Sequence, residues 1–331
     1  MQKPTIALLA GGYTGESVVS LQSANIVYQH IDRSQYNCYL IIVDKKSWYY
    51  LDEQDKKIAV NKNDFSIKLE TQKITFDCVF IMIHGSPGED GKIQGYLDLL
   101  HIPYTSCDAT TSAITMNKAY TKQVVKDISG LNVSNGVQLF KNQPYNVEDI
   151  LKQVHLPVFV KPNNGGSSIG MSKVKEISEL QPAIEKAFKE DTQVLIEDFI
   201  RGREFTVGAV KWENEIEILP VTEIKSTKEF FDYEAKYTPG MTQEITPANL
   251  SPSELAIVKQ VVKKTYERLN CKGVVRIDFI LENNTGYFYF IEINTIPGQS
   301  QNSIIPQQVR ATGKTLMSFY TSLIEQTLQQ Q

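Results

Sequence analysis

The chain has 331 residues, 41% hydrophobic and 22% charged, an ordinary globular composition with enough length for two or three domains that share substantial cores. Its 34 basic and 38 acidic residues give a formal charge of −4, and neither sign forms a long block, so no nucleic-acid or anionic-membrane partner is expected and a small molecule is. The N-terminal apolar run over 5–10 breaks at Gly11-Gly12, too short for a signal core, and no stretch approaches the ~20 apolar residues of a membrane span, so the expected location is cytoplasmic.

The opening reads as a strand over 5–10, a glycine turn, a helix over about 16–31 and a strand over 38–43. A strand over 78–83 then leads through a loop into a helix over 92–100. This alternation predicts an α/β unit with an open parallel sheet, whose Gly-rich turns, Gly11-Gly12 and His84 to Gly91, fall at strand C-termini where such sheets bind ligands. A helix is expected over 116–128, ending at Gly130. Antiparallel pieces follow over 157–162, 170–174 and 194–200, around a helix over 176–189. The last third holds strands over 204–212 and 215–220, a polar aromatic loop over 230–243, and a helix over 251–269 that Ser251, Pro252 and Glu254 would start. A hairpin over 274–281 and 287–294, turning at 283–286, precedes C-terminal helices. The expected division is 1–116, 117–200 and 201–331. Four cysteines, Cys38, Cys78, Cys107 and Cys271, lie far apart without a C-x-x-C and suit reduced, buried thiols.

The final hairpin carries the strongest chemical signal. Alternation puts Arg276 and Asp278 on one face, with Val275, Ile277, Phe279 and Leu281 on the other; Glu292 and Asn294 share a face of the partner strand. Four polar groups on apolar strands are costly to bury unpaired. Two carboxylates and an amide oxygen are hard ligands suited to Mg2+ beside phosphates, the alternative being a solvated sheet face with an Arg-Asp pair. A second signal is the loop after Val158-Phe-Val-Lys161-Pro, with Gly165, Gly166, Ser167, Ser168 and Gly170. Its glycines let backbone N–H groups converge on phosphate oxygens next to a lysine, though an ordinary hairpin turn reads as well in isolation. The third is an apolar strand ending in acids, Glu197 and Asp198, with Glu204 beyond; carboxylates there suit an adenine amino group or ribose hydroxyls, or simply water. Gly313-Lys314-Thr315 is not a phosphate loop. Gln308 stands where its first glycine would fall and no strand precedes it, so a helix end and a new helix start are expected. A dehydrogenase is disfavoured because no G-x-G-x-x-G follows the first strand.

In this order the motifs resemble the ATP-grasp fold, and within it the D-alanine–D-alanine ligases. The resemblance is carried by Ala10-Gly-Gly12, His84-Gly-Ser-Pro-Gly-Glu-Asp-Gly91, Met116-Asn-Lys118, Val160-Lys161-Pro, Gly166-Ser-Ser-Ile-Gly170, Phe231-Asp-Tyr-Glu-Ala-Lys236-Tyr237, Gly273-Val-Val-Arg276-Ile-Asp278 and Glu292-Ile-Asn294-Thr-x-Pro297-Gly298. It implies an N-terminal Rossmann-like substrate domain before two ATP-grasp domains, with ATP, two Mg2+ ions (Mn2+ as a substitute), two D-alanines as substrates, and a homodimer. By resemblance, Lys118, Lys161, Gly166 and Ser168 meet the nucleotide's phosphates, Glu197 the adenine and Glu204 the ribose. Asp278, Glu292 and Asn294 hold metal, and Arg276 with the Gly298 backbone holds the oxyanion. Lys236 reaches the γ-phosphate, while His84, Ser303 and Ile304 line the substrate pocket.

One position departs from the family's pattern. Where a glutamate often helps hold the first substrate's ammonium with the residues matched by Ser167 and Tyr237, this chain has Val18, leaving Glu16 or ordered water to take its place. Lys236 and Tyr237 favour D-alanine as the nucleophile. The rival readings are a D-alanine–D-lactate or D-alanine–D-serine ligase, and a regulatory protein that binds nucleotide without turnover. The full set of Lys118, Lys161, Arg276, Asp278, Glu292 and Asn294 argues against the last.

Overall fold

A computed structural model describes residues 3–70, 72–166, 168–226 and 242–329 of the chain. The strand β1 (Thr5–Gly11) is buried along its whole length and runs parallel to β2 (Asn37–Val43). Antiparallel β3 (Trp48–Leu51) and β4 (Lys57–Ala59) extend the sheet beyond β2. A separate small hairpin, β5 (Ile67–Leu69) and β6 (Gln72–Ile74), precedes β7 (Cys78–Ile81), which closes the five-stranded order β4-β3-β2-β1-β7. An uninterrupted apolar β1 is what a strand covered on both faces needs. Its cover includes Ala24 and Val27 of α1 (Ser17–His30).

After α2 (Lys92–Leu99) comes α3 (Ala109–Met116), which the sequence did not lead us to expect, and then α4 (Lys118–Val125), which lies within the helix expected over 116–128. They meet at Asn117, whose backbone leaves the helical region (φ −89°, ψ 101°) and whose side chain accepts from the N–H of Tyr120 at 3.0 Å, capping α4. The pair β8 (Leu131–Asn132) and β9 (Gly136–Phe140) leads through α5 (Val147–Leu151) into a second sheet. It contains β10 (Val158–Pro162), β11 (Ser172–Val174) and β12 (Gln193–Asp198) in the antiparallel order β11-β10-β12-β9. Helix α6 (Ile177–Glu190) buries Leu180, Ala183, Ile184 and Ala187 against Val158, Val160, Val194 and Ile196.

The third sheet has seven strands. Long β13 (Gly202–Trp212) has β14 (Glu215–Ile218) and β15 (Thr222–Ser226) along one edge, with β16 (Thr242–Ile245) outside β15. Its other edge pairs with β17 (Val274–Glu282), followed by β18 (Phe288–Asn294) and β8. Helix α7 (Pro252–Arg268) starts with the expected capping box, in which the Ser251 hydroxyl and the Glu254 carboxylate each accept the other's backbone N–H. It packs Val258, Val261, Val262 and Tyr266 on Phe205, Val207, Val275, Ile277 and Phe279.

Helices α8 (Ile304–Ala311) and α9 (Leu316–Leu328) finish the fold. Gly313 (φ +83°) ends the first and Thr315 caps the second, while Lys314 pairs with Glu217 at 2.7 Å, so this tripeptide is a helix junction as expected. Phe319, Tyr320 and Ile324 of α9 pack into the core around β1 and β7, so this helix helps cover the first sheet. All four cysteines are free and buried. Among the described residues no helix is long and apolar enough to cross a membrane.

Candidate active site

The three sheets meet at a cavity of about 590 Å³. Its walls come from the turn before α1, the 84–91 turn, the β10–β11 loop, strands β12, β13, β17 and β18, and the start of α8.

At one end the β17–β18 hairpin presents the expected polar face. Arg276 stands opposite Asn294 and Asp278 opposite Glu292, while Val275, Ile277 and Phe279 point the other way and are fully buried. Arg276 donates to both Asp278 oxygens, from Nε at 3.0 Å and from a terminal nitrogen at 2.8 Å. Burial alone would pull the guanidinium's pKa down, but the Asp278 carboxylate outweighs it and raises it, so Arg276 is a permanent, half-buried cation. On the far side of β17, Asp278 faces Thr206 of β13, whose hydroxyl donates to it at 2.5 Å. Asn294 adds a longer contact at 3.4 Å. The Glu292 carboxylate lies 3.3 Å from Lys118 Nζ, which also donates to the Gly165 carbonyl. Among the described residues no three His, Cys, Asp or Glu side chains converge as a metal cluster. The expected donors are instead two carboxylates and an amide oxygen, a hard oxygen set whose charge is met here by Arg276 and Lys118 and which fits Mg2+.

At the other end Glu197 is 6% exposed, and its two oxygens have different holders. Lys161 donates to Oε1; Lys122 donates to Oε2, as does the Ser134 hydroxyl at 2.9 Å. Burial would raise the carboxyl pKa, but the two ammoniums hold it well below the usual range. Burial also lowers the Lys122 pKa, against the pull of Glu197. Two cations on one anion leave a net positive charge facing the cavity, beside Gly166 and Ser168 of the Gly-rich loop. Ser168 itself adopts φ +57°. Glu204, on β13, also lines the cavity.

Between the two ends, Glu16 enters from the turn before α1. A Cβ added at Gly166 would come within 2.7 Å of its Oε1, and one at Gly85 within 2.9 Å of its Oε2, so the carboxylate lies between the two loops. Val18, by contrast, is 61% exposed and Val19 takes the place in the cavity wall. Position 18 thus faces away, and of the two expected replacements for an acid there, Glu16 and ordered water, it is the Glu16 carboxylate that lies at the site. His84 is buried, with Nδ1 2.9 Å from the Ile296 carbonyl and Nε2 3.0 Å from the Ser23 hydroxyl. Gly298, Ser303 and Ile304 line the wall at the start of α8, and the Ser303 hydroxyl meets Ser300 at 2.7 Å. Ser167, Lys236 and Tyr237 lie outside the described residues.

Four residues of the site were not singled out from the sequence. Lys122 falls four residues after Lys118, one helical turn on, a spacing that did signal a shared face. Thr206 follows Glu204 by two on β13, again a shared face. Ser134 gave no signal. Glu89 sits inside the 84–91 motif and accepts from the Gly85 N–H at 2.7 Å; burial, then the Glu16 charge, pushes its pKa up to about 8.

A cavity gripped between antiparallel sheets, with lysines around a buried acid at one end and an arginine among acids at the other, marks an ATP-grasp enzyme. Residues 5–107 match the family described as D-ala D-ala ligase N-terminus, and residues 127–328 the family described as D-ala D-ala ligase C-terminus. The chain is 46% identical to the D-alanine–D-alanine ligase of Flavobacterium johnsoniae, over 98% of this chain and 99% of that one. The solved structure of D-alanyl-alanine synthetase A from Vibrio cholerae matches with a TM-score of 0.88 at 28% identity, covering 99% of both chains. The D-Ala:D-Ser ligase of Enterococcus faecalis matches at 0.85 and 30%, over 98% of this chain and 99% of that one. The chain belongs to the D-alanine–D-alanine ligase family.

Proposed function

We propose that this chain joins two D-alanines into D-alanyl-D-alanine for peptidoglycan precursor synthesis, turning ATP over to ADP and phosphate through a D-alanyl phosphate. The observation that carries the reading is the single cavity with a cationic, carboxylate-centred end for a nucleotide and an Arg276–Asp278 end for the reacting carboxyl group. A free carboxylate is a poor acyl donor. Phosphorylation gives it a leaving group, and the amine of the second D-alanine then displaces phosphate. Lys118 and Lys161 offset the repulsion between the first substrate's carboxylate and the γ-phosphate, and Arg276 with the Gly298 N–H stabilises the tetrahedral oxyanion. Glu16 takes the first ammonium. The Ser303 hydroxyl takes the second substrate's carboxylate, with Ile304 and His84 shaping the pocket. Lys236, Ser167 and Tyr237 are assigned by resemblance to the γ-phosphate and the first substrate.

Mg2+ would be held by Asp278, Glu292 and Asn294 and would supply charge compensation on the phosphates. We further assign residues 1–116 to substrate, 117–200 and 201–331 to the nucleotide grip, the enzyme to the cytoplasm, and the assembly to a homodimer of 37.4 kDa chains, which light scattering would report as twice that mass.

The test of the acyl phosphate is oxygen transfer. D-Alanine labelled with 18O in its carboxyl group should pass one 18O to inorganic phosphate per turnover, and Glu292→Gln should slow this about 100-fold or more. Phosphate free of label would refute the intermediate, and an undiminished rate in the variant would refute the metal assignment.

A further inference from the structure

Lys122 has no part in the reaction as described, yet it is 6% exposed and lines the cavity one helical turn from Lys118. A lysine is almost never buried this deeply unless paired. Its ammonium donates to Glu197 Oε2 and, at 2.7 Å, to the Ser134 hydroxyl, which donates to the same oxygen at 2.9 Å. Lys161 holds the other oxygen, Oε1, from the strand that runs into the Gly-rich loop. The carboxylate thus has one oxygen fixed from α4 and Ser134 and one held by a lysine that a phosphate would attract away.

We propose that Lys122 is a positioning residue for nucleotide recognition: with Ser134 it fixes Glu197 as an ionised acceptor, so that Oε1 can take the amino N–H of a 6-aminopurine when Lys161 turns to the phosphates. This rests on the reading of ATP as substrate. Once Lys161 leaves, a buried carboxylate with no cation would cost several kcal/mol, and Lys122 is the ammonium still bonded to it. An ionised carboxylate only accepts, so it rewards a 6-amino group and rejects a 6-oxo group, which is itself an acceptor. Without Lys122, Glu197 would gain a proton and could donate, and the rejection of 6-oxopurines would weaken. In the free protein the two paired ammoniums, acting against burial, keep the carboxyl ionised.

The experiment is calorimetric binding of ADP and GDP to the full chain, wild type against Lys122→Met, Lys122→Arg and Ser134→Ala, with KM for ATP and for D-alanine measured alongside. Lys122→Met should weaken ADP about 30-fold, the loss of one charged hydrogen bond, and narrow the ADP-over-GDP preference. KM for ATP should rise in parallel while KM for D-alanine holds. Lys122→Arg should recover most of the loss and Ser134→Ala should show a smaller one of about threefold. Unchanged ADP affinity and purine preference in Lys122→Met overturns the proposal. Should that variant not fold, unchanged binding in Ser134→Ala overturns it. Failure of the wild type to ligate D-alanine would strike the ligase reading alone, because the binding differences are read without turnover.

Discussion

His84 shows how much one buried side chain fixes. The Ile296 carbonyl can only accept, so the proton sits on Nδ1, and Nε2 accepts from the Ser23 hydroxyl, which in turn accepts the Gln299 N–H at 3.1 Å. This chain ties α1, the 84–91 turn and the segment after β18 through one neutral imidazole. Burial, the leading cause, holds its pKa down to about 4, against an ordinary 6.5. A lowered basic group binds fewer protons folded than unfolded, so its stabilising contribution is complete above pH 6.5 and drains away as pH falls toward 4, about 3 kcal/mol in all. Glu89, with its pKa raised to about 8, acts in the opposite sense and loses stability as pH rises from 4.5 to 8, so a comparison of variants isolates His84. Urea unfolding at pH 7.5 and pH 4.5 should show the wild type losing more stability in acid than His84→Gln. Equal losses would mean that His84 does not titrate in this window.

At the scale of elements, what the sequence made legible was what repeats strictly. The β17–β18 hairpin alternates without a break until the irregularity at Asp278/Phe279, so its two faces and their four polar residues were readable residue by residue. The capping box at Ser251 was readable because its side chains act within one turn. The short strands between Trp48 and Ile74 were missed because three or four residues of mixed exposure hold too little alternation to register. Helix α3 was missed because four of its eight residues, Thr110, Thr111, Ser112 and Thr115, are weak helix formers, and it ends at Asn117, whose side chain caps Tyr120 of the next helix. Gly273, just before β17, has φ +61°, and a Cβ there would lie 2.0 Å from the Thr105 carbonyl oxygen. Gly273→Ala should therefore destabilise by more than about 2 kcal/mol in urea. A loss under ~0.5 kcal/mol would mean that the two segments part without consequence.

Across the whole molecule, the site is assembled from residues as far apart as Glu16 and Ser303, and no local pattern could show that Lys118 of α4 meets Glu292 of β18 or that Lys161 and Lys122 share Glu197. The order of the motifs made the site's membership legible through resemblance. Its partners were not, because ion pairs between elements are set by how the sheets pack. Which replacement stands in for an acid at position 18 was illegible for a related reason: on the turn entering α1, one or two residues decide between the cavity, which Glu16 faces, and solvent, which Val18 faces. Packing of α9 into the first core likewise joins the end of the chain to its beginning, which composition and periodicity do not encode.

The measurement that bears most directly on the central claim is product identification by mass after incubation with ATP, Mg2+ and D-alanine, alone or mixed with D-serine, D-lactate or L-alanine. D-Alanyl-D-alanine formed from D-alanine alone, one per phosphate released, is the predicted result. No dipeptide with D-alanine alone, but a mixed product once D-serine or D-lactate is added, would contradict the acceptor assignment; phosphate release without any ligated product would contradict the ligase itself.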